Sequence, residues 1–311
     1  MTARAGARQR TSRTLAGLAL AFCTPCRAHL PEGVDRNVAS FPWSFEPWIL
    51  AMLTVSMALF LIGTLRLWRR AGPGRGVGWG AAMAWCAGWS ALLVALVSPL
   101  DPLGESLFSA HMLQHEMLMV VAAPMLVLAR PLAAWTWALP LKWRVAVGAL
   151  LRRPGWRSTW DTLTHPLTAW SLHALALWGW HLPLLFMAAL DHPTIHTLQH
   201  LSFLGTALLF WWTTLGAISR RTQGAALASL FTTMMHTAAL GALMTLSPLL
   251  WYGHYAGTSA IYGLDPLADQ QLGGLIMWIP ASAAYLAAAL ALAARWLRER
   301  PPPVTDAWRS G

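Results

Sequence analysis

The chain has 311 residues, of which 56% are hydrophobic and only 11% charged, against roughly a quarter charged in an ordinary soluble domain. That composition is a polytopic membrane protein's and excludes a soluble globular domain. The formal net charge of +10 does not indicate nucleic acid, because the basic residues are scattered through short loops rather than gathered on one folded patch.

Residues 1–28 have the build of a secretory signal. Arg4, Arg8, Arg10 and Arg13 precede a short apolar core from Leu15 to Phe22, with a cleavage point after Ala28. Cleavage would discard the CTPC sequence of Cys23 and Cys26; retained, the two thiols would face the outer compartment as a metal-binding or disulfide-forming pair. Cys86 falls in an apolar run and reads as packing. The fold class expected is an all-α polytopic membrane protein with seven transmembrane helices and a cleavable signal-like N-terminus. Its parts are a signal peptide over 1–28, a periplasmic N-terminal segment over 29–46, the seven-helix transmembrane domain over 47–294 and a cytoplasmic tail over 295–311.

About 20 apolar residues are needed per crossing, and seven such windows can be drawn, at 47–67, 79–97, 106–129, 165–188, 195–218, 225–249 and 270–294. Between the third and fourth, LAAWTWALPLKWRVAVGALL mixes Trp, Lys and Arg with aliphatics and is interrupted by Pro140; it predicts an amphipathic stretch lying on the membrane surface. Sixteen Lys and Arg residues after the signal follow the odd-numbered spans, and only Arg36 falls on the other side. By the positive-inside rule the sixteen are cytoplasmic. The opposite face is acidic, with Glu32, Asp35, Glu46, Asp101, Glu105, Asp191, Asp265 and Asp269 in or beside outer segments. The C-terminus is therefore placed on the cytoplasmic side and the N-terminus, after cleavage, on the outer side.

The third and fifth spans each open on the same pattern, HMLQH at 111–115 and HTLQH at 196–200. A spacing of four puts both rings of a pair on one helix face, about 6 Å apart at Cβ. Both spans run inward, so His111, His115, His196 and His200 lie at comparable shallow depth on the outer side, as a shared site requires. Pro193 is a natural first helical residue, and His192 before it extends the second stripe by one turn. The sixth span contributes His236 after two methionines, and the seventh sets Asp269, Gly273 and Met277 along one stripe. Glu116 is the only carboxylate deep in a span; it is either functional or a protonated group bonded to a neighbouring helix. A single intramembrane His is more often a satisfied polar residue than a ligand, and His165, His173 and His181, eight residues apart, do not share a face. His29 and His254, in outer segments, read as solvated.

Imidazole suits zinc, copper, iron and nickel, whereas thioether favours Cu(I). Most methionines here read as ordinary gap-fillers, but Met119 continues the His111, His115 stripe. The combination predicts a copper site, as Cu(I), built from His111, His115, His196, His200 and His236, with Met119, His192, Glu116, Asp269 and Met277 as accessory candidates. Haem b binding is an alternative that would use one member of each pair as axial ligand. A copper or cation permease is another, opposed by the apolar inner halves of spans three and five. No phosphate-binding Gly loop, acyl-transfer arrangement or H-E-x-x-H signature is present, so no conventional enzyme is expected.

HMLQH followed by APMLVLARP, the second pair HTLQH, and MMHTAALGALMTLSPLLWYGHYAG leading to LDPLADQQLGGLIMWIPA together resemble the polytopic CtaG proteins, assembly factors of bacterial cytochrome c oxidase. The resemblance covers roughly residues 47–294. It implies a seven-span plasma-membrane protein that matures a haem-copper oxidase by handling copper for it, with oxidase subunits as partners and a periplasmic copper chaperone as a possible donor. It places a functional role on His111, His115, His196, His200, His236 and Asp269. The CTPC segment lies outside it.

Overall fold

A computed structural model describes residues 42–216 and 222–298. The signal-like segment, its CTPC sequence and most of the expected periplasmic and C-terminal segments lie outside the described residues. The described secondary structure is helical. Helix α1 (Pro47–Ala71) turns into α2 (Trp79–Val97) through Gly72, Gly74 and Gly76, whose φ values of 96°, 77° and 80° suit glycine because a side chain disfavours that region. A short α3 (Leu100–Ser106), absent from the sequence reading, then leads into α4 (Phe108–Glu116), which runs on through a π-helical segment (Met117–Ala122) into α5 (Ala123–Ala129).

Phe108–Ala129 is thus one continuous crossing, and it is the central one. Protein buries 61% of its apolar stretch, against 22–33% for the other helices that qualify as spans. The left-handed Arg130 (φ 48°) closes it. After it come α6 (Leu132–Ala138), α7 (Leu141–Leu151) and α8 (Pro154–Leu163), the surface stretch expected, broken at Pro140. Neither α7 nor α8 buries a residue. By contrast α6 folds back onto α1, where Gly63 lies so close to the Ala134 backbone that no Cβ could be accommodated.

The remaining helices are α9 (Pro166–Trp180), α10 (Pro183–Asp191), α11 (Pro193–Leu215), α12 (Gln223–Leu246), a short α13 (Tyr255–Thr258) with a 3₁₀ turn at Ser259–Tyr262, and α14 (Pro266–Arg298). The expected single span over 165–188 is replaced by α9 and α10, bent by 75° at the break. Pro183 explains the bend, since it cannot donate to the preceding turn but sits comfortably at the start of the next helix. Five helices (α1, α2, Phe108–Ala129, α12 and α14) are long and apolar enough to cross a membrane, or six if the bent pair counts as one. At 23 residues α11 has the length, but Thr, His, Gln and His in its first turns lower its apolarity.

Helices α12 and α14 pack closely because both contribute glycine at the crossing: a Cβ on Gly274 would stand 2.7 Å from the Gly241 carbonyl oxygen. Small residues at such crossings let backbones approach in lipid, where dispersion replaces the hydrophobic effect as the driving force. The main core joins α4, α9, α10, α11, α12 and α14. A smaller one centres on Phe60 and Trp85, stacked at 4.6 Å between α1 and α2.

Candidate metal centre

Helices α4 and α11 present their histidines at identical positions, each pair being the fourth and eighth residues of its helix. The helices face each other in parallel register. Ring centroids are 5.5 Å apart for His111 and His196 and 5.4 Å for His115 and His200. Within the pairs the separations are 4.3 Å and 4.2 Å. Four imidazoles therefore occupy the corners of a small rectangle, the convergence that the repeated H-x-L-Q-H pattern predicts.

Two of the four rings are fully covered, while His196 and His200 are half-buried. His111 and His115 are each 1% exposed, and Phe186 and Phe203 cover them at 4.9 Å and 4.6 Å. The Nδ1 of His111 lies 3.2 Å from the carbonyl oxygen of Gly104; since a carbonyl only accepts, that nitrogen carries the proton and Nε2 keeps its lone pair. The Nε2 atoms of His111, His115, His196 and His200 are all buried without a hydrogen-bond partner. Buried polar atoms are normally satisfied, so four orphaned imidazole nitrogens around one small volume mark a site built to receive something. Among the described residues no group of three or more His, Cys, Asp or Glu side chains is placed to hold a metal ion as the rings stand.

A fifth imidazole joins the group, and the sequence reading missed it. His181 sits at the break between α9 and α10, 6.4 Å from His115. It donates from Nδ1 to the Leu177 carbonyl at 2.6 Å, leaving a buried, unpartnered Nε2. The signal was present in the spacing: His181 follows Ala169, His173 and Leu177 at steps of four on the buried face of α9.

Other expected site residues go elsewhere. His236 faces Trp170, at 5.8 Å, and accepts from Trp178 Nε1 at 3.4 Å; its electrostatic neighbour is His173, so it belongs to a separate polar pair. His192 is exposed at the start of α11. Met119 and Met277 are core residues; Met119 lies in the π-helical segment, where its carbonyl accepts from Trp211 Nε1 at 2.8 Å. Glu116 is buried with Oε2 unpartnered and has Tyr285 as its electrostatic neighbour.

Asp269 has a different task from the ligand role considered for it. Fully buried on α14, it accepts from the backbone N–H of Phe108 at 2.7 Å and of Ser109 at 3.2 Å, from the Ser109 hydroxyl, and from the Ser259 hydroxyl at 3.0 Å. Helix α4 has no cap from its own sequence, and a carboxylate at a helix N-terminus satisfies the free N–H groups and meets the positive end of the dipole. Asp269 thereby caps α4 from another helix and fixes the first histidine pair. Gln114, the glutamine of HMLQH, fixes the flank by donating to the Ala95 carbonyl at 2.8 Å and to Asp101 Oδ1 at 2.7 Å. Its counterpart Gln199 is fully buried beside the rings and makes no hydrogen bond of good geometry.

An elongated cavity of about 950 Å³ reaches the group from the side of α1, α2 and α3, with His196 and His200 in its wall. Away from the histidines its wall is mostly apolar, formed by α1, α2 and the later turns of α11, with Arg130 at its far end. Near the histidines it holds Glu46, Asp101 and Glu105. Burial, reinforced by Asp101 and Glu46, pushes the Glu105 carboxyl up to about 7. Burial raises Glu46 and Asp101 as well, partly offset by hydrogen bonds from Trp48 to Glu46 and from Gln114 and Ser44 to Asp101.

Residues 58–299, which include every member of this group, match the family of cytochrome c oxidase caa3 assembly factors, Caa3_CtaG. The chain belongs to that family. It is also 28% identical over 272 residues to an uncharacterized protein of Mycobacterium tuberculosis and to one of Mycobacterium bovis, and 28% identical over 270 residues to one of Mycobacterium leprae. Each match covers 83% of this chain and 40% of the relative, so the chain spans about two fifths of the length of these proteins. No solved structure matches it.

Proposed function

We propose that this protein is a membrane assembly factor that holds copper at His111, His115, His196 and His200 and delivers it to a haem-copper cytochrome c oxidase. The observation that carries the reading is the rectangle of imidazoles with buried, unpartnered Nε2 atoms. Family membership supplies the oxidase, and copper is one of the metals of such an enzyme that imidazole ligands suit. The oxidation state follows from burial. Neutral imidazoles add no charge, so the occupied site carries the charge of the ion alone, and the Born cost of burying a monovalent ion is about a quarter of that for a divalent one. Cu(I) therefore fits these buried nitrogens better than Cu(II) or zinc. His181 is poised as an extra ligand when the rings rotate.

In the proposed topology seven crossings are made by α1, α2, Phe108–Ala129, the bent pair α9 and α10, α11, α12 and α14, with the arginine-rich loops cytoplasmic. The histidine group then lies just below the outer face of the plasma membrane, close to where a periplasmic chaperone would donate copper and an oxidase subunit would accept it. Elemental analysis of detergent-purified protein tests the reading. Wild type reconstituted with Cu(I) is expected to retain about one copper per chain, and a His111→Ala, His115→Ala double variant to lose nearly all of it, because two remaining imidazoles cannot enclose the ion. Equal copper in both proteins overturns the assignment.

A further inference from the structure

Three carboxylates stand together at one end of the cavity. Glu46 precedes α1, while Asp101 and Glu105 lie on α3. All three line the cavity that His196 and His200 also line, and they are close enough for Asp101 to act on both glutamates and Glu46 on Glu105. Among the described residues no Lys or Arg offsets this charge: what lowers Asp101 and Glu46 is hydrogen bonding from Gln114, Ser44 and Trp48. Like charges gathered in a partly buried place without a cation weaken a fold, and neutral side chains would pack there at lower cost. The cluster needs a reason outside stability. The second observation lies further into the same cavity, where the imidazoles of His196 and His200 have buried Nε2 atoms with no partner.

We propose that Glu46, Asp101 and Glu105 form a cation-gathering mouth that draws the metal ion from the outer aqueous phase and passes it along the cavity to His196 and His200. The inference rests on the proposed copper site and adds its loading route. A negative mouth bounded by apolar walls focuses the field and raises the local cation concentration. The acids do not retain the ion, because oxygen donors suit hard cations whereas the imidazoles beyond them suit copper. Gln114 ties the mouth to the site, since it sits between His111 and His115 and donates to Asp101.

The test follows Cu(I) uptake over time, with Cu(I) supplied as its acetonitrile complex to the detergent-solubilised full chain and unbound metal removed by a chelator quench. A Glu46→Gln, Asp101→Asn, Glu105→Gln variant keeps the acceptor oxygen for Gln114 and removes the charge. At low ionic strength it is expected to load about tenfold more slowly than wild type, to reach the same final occupancy, and to lose the salt dependence wild type shows. Glu46→Gln alone, which disturbs no helix packing, should slow loading about two- to threefold. Wild-type rates and salt dependence in both variants would overturn the mouth while leaving the histidine site intact. Uptake by wild type that survives His111→Ala, His115→Ala would instead overturn the copper site, and the loading route with it.

Discussion

Replacing Asp269 by alanine is expected to destabilise the protein by about 3–5 kcal/mol, the range for removing one partner from a buried charged network. The carboxylate meets two backbone N–H groups and two hydroxyls, all inside the protein. Alanine leaves the first turn of α4 uncapped with no water to replace the lost acceptor, and each orphaned donor costs about 1–3 kcal/mol. Asp269→Asn should fall between, since its amide nitrogen puts a donor where an acceptor is required. The site should suffer with the fold, because His111 lies one turn beyond the capped residues. Thermal unfolding in detergent with copper content measured alongside checks this; a wild-type midpoint for Asp269→Ala would show that the cap does not hold α4.

The second large effect is expected at Gly273. A Cβ there would stand 2.6 Å from Cε1 of Phe108 and 3.2 Å from Cγ of Met112, closer than carbon atoms tolerate. The Phe108 ring cannot retreat, because Phe186, Tyr252 and Tyr255 pack round it at centroid distances of 5.7, 5.1 and 5.7 Å. Gly273→Ala must therefore push α14 away from α4, at the 1–3 kcal/mol or so typical of overpacking, and shift the helix that presents His111 and His115. A lowered unfolding midpoint together with weaker copper retention is expected. By contrast, Gly205→Ala should be silent, since its Cβ would meet nothing within 4 Å. Equal behaviour of the two alanine variants would contradict this account of the packing.

These two positions show where sequence reasoning succeeds and where it stops. The repeated H-x-L-Q-H pattern was enough to place four imidazoles together, because helical spacing fixes a face and matched depth brings two faces level. What could not be read was anything depending on a partner helix. Asp269 looked like one more polar residue on a stripe, yet its lone pairs are taken by a helix 160 residues earlier in the chain. His181 was hidden because a single His on an apolar span reads as a satisfied polar residue, and only the packing of the helices brings it within 6.4 Å of His115. The π-helical segment that holds Met119 was not legible either, since no proline or glycine within it announces it. His236 shared the residue type of the site, but its helix carries it to Trp170 and Trp178.

In the proposed role, holding an ion and handing it on are separate tasks. Rings that rotate to bind can rotate to release, and the cavity beside His196 and His200 keeps one side of the group approachable. A closed tetrahedral cage would bind more tightly and release more slowly. Orphaned nitrogens are the cost of that openness, and Asp269, Gln114 and the phenylalanines hold the group together meanwhile.

The most direct measurement is X-ray absorption at the copper edge on the purified, Cu(I)-loaded protein. The account predicts a first shell of nitrogen scatterers with the multiple-scattering pattern of imidazole, its edge that of Cu(I), and a reduced nitrogen count in His200→Ala. A sulfur-dominated shell, or a shell unchanged by His200→Ala, would contradict it.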